Sequence, residues 1–192
     1  YTYQNQRNIL VDLPGTYSLL ANSLEEQVAR DFICFAHPDA TIVITDATCL
    51  ERNLNLVLQV LEITDKVVVC VNLMDEAERK NIKVDLVRLE KELGVPVVGT
   101  VARDGIGLDL LKQKVHEIAK GRIETKPLQI RYSRQVEESI AEIEPLVAEM
   151  DLGRINSRWL SLRLIDGDKT ILKGIQKYLD VNLYDNLDSE VF

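Results

Sequence analysis

The chain has 192 residues, 46% of them hydrophobic and 28% charged, with a formal net charge of -8. That length carries one domain with a sizeable core, or one domain with a small appendage, and the composition argues against disorder as the ground state. The acidic balance, with no Lys/Arg cluster, leaves no counterion-releasing patch, so no nucleic-acid partner is expected.

The three cysteines, Cys34, Cys49 and Cys70, are far apart and odd in number, a pattern that fits neither a disulfide framework nor a zinc site and reads as reduced and intracellular. No run of about 18 apolar residues occurs, so the chain is expected neither to span a membrane nor to carry an export address.

In chain order, Asn8 to Asp12 reads as a strand, and the turn at Gln4-Asn5-Gln6 suggests a hairpin with Tyr1-Thr2-Tyr3. Ile42 to Asp46 is a second strand, followed by a helix on which Leu50, Leu54, Leu58 and Leu61 recur at helical spacing. Val67 to Val71 is a third strand. Leu86, Leu89 and Leu93 mark a helix that Gly94 stops, before a strand over Val95 to Gly99 and a helix carrying Leu108, Leu111, Val115 and Ile118. Strands alternating with helices predict a doubly wound α/β sheet. After Gly121 only helical patterns remain. Ser133 is placed to cap a helix with Val136, Ile140, Ile143 and Val147, and two more helices are divided at Asp166-Gly167-Asp168. The domains are therefore expected at 1–122 and 123–192, joined through Thr125-Lys126-Pro127.

Ligands of an open α/β sheet bind at the carboxyl ends of its strands. Asp12-Leu13-Pro14-Gly15 directly follows one strand: a carboxylate there can hold Mg²⁺ through water, and the Gly15 N–H can approach a phosphate because no Cβ intervenes. Asn72-Leu73-Met74-Asp75 follows another. An Asp75 carboxylate can accept from the N1–H and exocyclic amine of guanine, whereas adenine would oppose it with a lone pair. Asn72 would tie the loop to neighbouring backbone. Val101-Ala102-Arg103 follows the last strand, where the Ala102 N–H could donate to the guanine carbonyl oxygen. Asp12 could alternatively begin a Pro-Gly turn and Asp75 cap a helix; the joint order and spacing favour guanine-nucleotide binding.

Asp12-Leu13-Pro14-Gly15-Thr16-Tyr17-Ser18, Asp46-Ala47-Thr48 with Leu50-Glu51-Arg52-Asn53-Leu54, and Asn72-Leu73-Met74-Asp75 closely resemble the G domain of the ferrous-iron transport protein FeoB family. Arg131-Tyr132-Ser133 and Arg158-Trp159 resemble the helical domain that follows it, described there as a guanine-nucleotide dissociation inhibitor. The resemblance implies a Ras-like, P-loop-GTPase-like fold with a small all-helical domain. It makes Asp12 and Gly15 the third G motif, residues 16–25 switch II, Asn72 and Asp75 the fourth motif and Val101 to Arg103 the fifth. It implies GTP/GDP and Mg²⁺ as cofactors, a membrane transport domain of the same parent chain as partner, a place on the cytoplasmic side of the bacterial membrane, possible homo-oligomers, and slow GTP hydrolysis that controls Fe²⁺ uptake. His37 and His116 are isolated and read as surface or core histidines, not iron ligands.

The sequence departs from the family pattern. It holds no G-x-x-x-x-G-K-[ST] and no Thr-bearing switch I loop. The chain is therefore expected to be an N-terminally truncated G domain without its P-loop and without a central strand between the Ile9 and Ile42 strands, inactive as a GTPase alone. Leu73 replaces the usual Lys of N-K-x-D. Thr16, the candidate catalytic residue, stands where Ras-like proteins use Gln to orient water, and its hydroxyl cannot imitate a carboxamide. Two other readings stand beside this one: a nucleotide-independent interaction domain, and a fragment of a ribosome-assembly GTPase.

Overall fold

The computed structural model describes residues 1–20, 23–150 and 152–180. The chain starts with a small antiparallel hairpin, β1 (Thr2–Tyr3) on β2 (Gln6–Arg7). Gln4 and Asn5 both take positive φ, 46° and 60°, the backbone that a two-residue hairpin turn demands and that Asn tolerates well. The expected strand over Asn8 to Asp12 does not form. Past the Asn8 N–H bond to the Tyr1 carbonyl the segment has no ladder partner, and Ile9 is 93% exposed. An apolar run becomes a strand only where neighbouring backbone pairs with it.

The main sheet is parallel and three-stranded, in the order β3 (Thr41–Asp46), β4 (Val67–Asn72), β5 (Val97–Gly99). Its register sets Val43 against Val69 and Val69 against Val97. β4 is central and its valines are buried on both faces, as β-branched residues in a parallel sheet should be.

Around this sheet run α1 (Leu24–Phe35), α2 (Leu50–Ile63), α3 (Met74–Arg79), α4 (Leu86–Leu93) and α5 (Leu108–Ala119). Val67, Val69 and Val71 pack in one cluster with Ala29, Ile33, Val57 and Val60 of α1 and α2. On the opposite face Val68 and Val98 meet Ile118, Leu111 and Val115 of α5. Helices therefore cover both faces, as the doubly wound reading expects. Ile44 of β3 lies on the α5 face in register with Cys70, yet is 68% exposed. The outer edge of β3 has no strand partner among the described residues.

A helical unit follows: α6 (Arg134–Glu149), α7 (Ser157–Ile165) and α8 (Lys169–Leu179). Ser133 occupies the N-cap position of α6, but its side chain makes no capping bond. Asn156 and Asp168 do cap α7 and α8, accepting from the Trp159 and Thr170 N–H groups. Trp159, Leu160, Leu164, Ile171 and Ile175 belong to the same buried cluster as α1 and α2, so the two units share apolar core. Arg30 of α1, 1% exposed, donates to Asp31 at 2.7 Å, to Asp168 at 3.2 Å and to Thr170 at 2.8 Å. The connecting segment lies on the end of α4, where Lys126 and Leu128 N–H groups donate to the Gly94 and Leu93 carbonyls. No helix among the described residues is long and apolar enough to cross a membrane.

Candidate functional site

The carboxyl ends of β3, β4 and β5 carry three loops, and two of them are locked together. Asn72 ends β4 and its Oδ1 accepts from Thr100 Oγ1 and from the Ala102 N–H, each at 3.0 Å. Thr100 follows β5 directly and is buried. Its N–H donates to the Val71 carbonyl at 2.8 Å, and its own carbonyl accepts from the Met74 N–H at 3.2 Å. The loop after β4 is thereby held to the loop after β5 by four bonds within a few residues. Leu73, between them, sits in the left-handed region at φ 62°, a conformation that costs a non-glycine residue roughly 1–3 kcal/mol and persists where surrounding bonds enforce it.

That backbone places Asp75 in the first turn of α3. Its Oδ2 accepts from Arg79 at 2.8 Å and from Arg103 in a short charged contact. Its Oδ1 is buried with no hydrogen-bond partner among the described residues. The Arg79 bond, with Arg103 beside it, holds the Asp75 carboxyl below the usual carboxylate range, so it is ionised at neutral pH. An ionised oxygen that is buried and unpartnered is costly, and an N–H donor brought to it would relieve that cost.

The segment before α1, residues 12–18, which follows no strand of the sheet, contributes less. Asp12 is exposed and has no hydrogen bond or ion pair among the described residues. Gly15 has open space where a Cβ would stand. Thr16 Oγ1 donates to the Ser18 carbonyl at 2.6 Å and accepts the Ser18 N–H at 3.2 Å, closing a local turn that engages its hydroxyl. Below this turn lies a cleft of about 280 Å³ lined by Thr16, Tyr17, Asp46, Asn53, Asn72 and Leu73. The expected switch II span includes residues 21 and 22, which lie outside the described residues, as do residues 181–192 of the expected helical domain.

The structure thus brings Asn72, Asp75, Ala102 and Arg103 into one cluster, with Val101 buried beneath it in a bridge to Ile106. Thr16 shares the neighbouring cleft with Asn72; Asp12 and Gly15 do not line it. The Ala102 N–H, which the sequence offers to a guanine carbonyl, donates here to Asn72 Oδ1 at 3.0 Å. Several contributing residues were not anticipated. Thr100 bridges the two loops, Asn53 Oδ1 accepts the Asp46 N–H at 2.7 Å, and Gln59 Oε1 accepts the Leu19 N–H at 2.6 Å. Arg52 lies over the Tyr17 ring, 4.4 Å from its centroid. Thr100 is foreshadowed by its position immediately after an apolar strand, and Arg79 by its i,i+4 spacing from Asp75.

Residues 1–115 match the family described as ferrous iron transport protein B, and residues 132–190 match its cytosolic helical domain. The chain belongs to the FeoB family. The Fe(2+) transporter FeoB of Escherichia coli (strain K12) is 36% identical over 167 residues, 83% of this chain and 21% of the relative. The chain therefore spans about a fifth of the length of the curated relatives it matches. Among solved structures, the GDP form II of the cytosolic domain of the T. maritima FeoB iron transporter superposes with a TM-score of 0.82 at 34% identity, covering 92% of this chain and 69% of that one. The FeoB G domain from Methanococcus jannaschii is 42% identical, with a TM-score of 0.61 over 62% of this chain and 77% of that one. The fold is that of a FeoB G domain followed by a helical domain, and the sheet, its flanking helices and α6 to α8 agree with it.

Proposed function

We propose that this chain is the guanine-nucleotide-binding regulatory region of a ferrous-iron membrane transporter, with a boundary near residues 122 and 123 between its G and helical domains. The observation that carries the proposal is the Asn72–Asp75 loop: it is tied to the Ala102 backbone and presents a buried, unpartnered Asp75 Oδ1. Guanine offers two adjacent N–H donors on one edge, the complement of a carboxylate, and adenine does not. Bonds to a charged acceptor contribute about 1.5–3 kcal/mol each, so the pair discriminates strongly between the bases. FeoB cytosolic domains solved in GDP and GMPPNP forms support the same assignment by relationship.

The phosphate end is less complete. Asp12 and Gly15 are the residues of this chain that would face phosphates and Mg²⁺. Mg²⁺ keeps several waters and takes one or two carboxylates, so a single exposed Asp12 fits a water-mediated contact and no fuller coordination. When bound, the ion would neutralise phosphate charge. Thr16 has its hydroxyl engaged by Ser18, so intrinsic hydrolysis is slow and water is placed by another group. The transport domain of the parent chain is the implied partner, which would put this region on the cytoplasmic face of the membrane.

The deciding test is fluorescent GDP binding to this chain and to a version extended upstream of Tyr1, with unlabelled GDP, ADP and XDP as competitors. GDP should compete and ADP should not. Asp75→Asn should shift the preference to XDP, since an amide donor suits the C2 carbonyl of xanthine. Equal competition by ADP and GDP, or no binding by either chain, would sink the proposal and leave a nucleotide-independent docking domain.

A further inference from the structure

Arg103 stands on the one carboxylate that a base would read. Its guanidinium contacts Asp75 Oδ2 directly and reaches Glu76 at 3.7 Å, while Arg79 holds the same Asp75 oxygen at 2.8 Å and Glu76 at 2.9 Å. The side chain of Arg103 is 55% exposed and that of Asp75 23%. Arg79, at 59%, is as exposed as Arg103, so the two differ in where they are anchored: Arg79 in α3 and Arg103 in the turn after β5. Arg103 also belongs to a 3-10 turn, Ala102–Asp104, that ends at Gly105 with φ 75°. The turn is fixed at its start by the Asn72–Ala102 bond, and the Arg103 side chain leaves it past Asp104, 3.6 Å away, to reach Asp75.

The chemistry of the two contenders is the same. Guanine carries N1–H and the C2 amine on one carbon, a guanidine unit built into a ring, and arginine presents the same planar fork of donors. We propose that Arg103 is an internal surrogate for guanine: it occupies Asp75 Oδ2 in the free protein and must swing off before a base can bind both carboxylate oxygens. Oδ1, buried and unpartnered among the described residues, is the carboxylate oxygen that Arg103 leaves without a donor. The consequence is a lowered association rate and affinity for guanine nucleotide. Arg79, being part of α3, stays and keeps Asp75 ionised. This inference deepens the guanine-binding reading and rests on it.

The contact is a partly exposed ion pair, so its displacement should change affinity about two- to fivefold, and less at high salt. The test is stopped-flow association and dissociation of fluorescent GDP with the wild type, Arg103→Ala and Arg103→Lys, in the extended chain. Arg103→Ala should bind faster and two- to fivefold tighter at low salt with an unchanged dissociation rate. Arg103→Lys keeps the charge without the fork and should fall between. In the free protein, the Arg103 side-chain N–H signals in NMR should broaden on Asp75→Asn and on addition of guanosine. If the wild type binds GDP and Arg103→Ala binds no faster, or binds more weakly, Arg103 is not a surrogate and the guanine reading stands. If neither protein binds GDP or guanosine, the reading fails and the inference falls with it.

Discussion

Cys34 and Cys49 carry the same thiol in opposite surroundings. Burial pushes the Cys34 thiol up to about 12, so almost none of it is thiolate at pH 8. Cys49 is exposed at the head of α2, where partial desolvation and the neighbouring Asp46 carboxylate push its thiol up as well. A maleimide at pH 8 should therefore label Cys49 and spare Cys34 and Cys70, and Asp46→Asn should speed that labelling; mass spectrometry after timed quenching reads both. At this scale much was legible. Asn72 and Asp75 announce themselves because a polar residue directly after an apolar strand stands at the ligand-binding end of a parallel sheet. Thr100 carries the same strand-end signal, but its pairing with Asn72 does not follow from it, because that bond reaches a loop 28 residues away. Arg103 was placed in the right loop, but no spacing rule says that its side chain turns back onto Asp75.

Gly94 shows how an element boundary can serve two purposes. It ends α4 at φ 69°, which the sequence pattern anticipates. A Cβ there would lie 1.8 Å from the Lys126 carbonyl oxygen, so the missing side chain is also what lets the connecting segment lie on the helix end. Gly94→Ala should lower stability by about 1–3 kcal/mol from backbone strain alone, measured by urea unfolding, and should raise hydrogen exchange at the Lys126 and Leu128 amides. An unchanged exchange pattern would mean that the segment is held elsewhere. β3, β4, α2, α4 and α5 follow their periodicity. α1 was passed over although Ser23 and Glu26 have the spacing of a capping box, and Ser23 does accept the Glu26 N–H. The run at Ile9 to Val11 has strand composition without strand structure, since composition cannot supply a hydrogen-bonding neighbour.

Arg30 is the link on which the whole molecule turns. A fully buried guanidinium joins α1, which follows the Thr16 loop, to the first turn of α8 through Asp168 and Thr170, and Phe35 stacks on Tyr178 with centroids 4.9 Å apart between the same helices. Removing the buried partner leaves the partly exposed Asp31 and Asp168 carboxylates without compensation, which costs at most about 3–5 kcal/mol. Arg30→Ala should lower the urea midpoint by that measure and loosen α8, read as faster exchange over Thr170 to Ile175. Arg30→Lys should recover part of the loss, because charge is kept and the fork to Asp31 and Asp168 is not. Loss confined to α1 would show that the helical unit is held by apolar packing instead.

Local chemistry was enough to read the fold class, the division into sheet and helical parts, and the position of Asn72 and Asp75 at the end of a buried strand. Periodicity, turn residues and strand-end polarity are properties of neighbours along the chain. What only the folded molecule decided are contacts between residues far apart in sequence: Asn72 with Ala102, Arg103 with Asp75, Arg30 with Asp168 and the connecting segment with Gly94. Each depends on how α helices and loops are brought together by burial of one shared core, and burial acts on the chain as a whole.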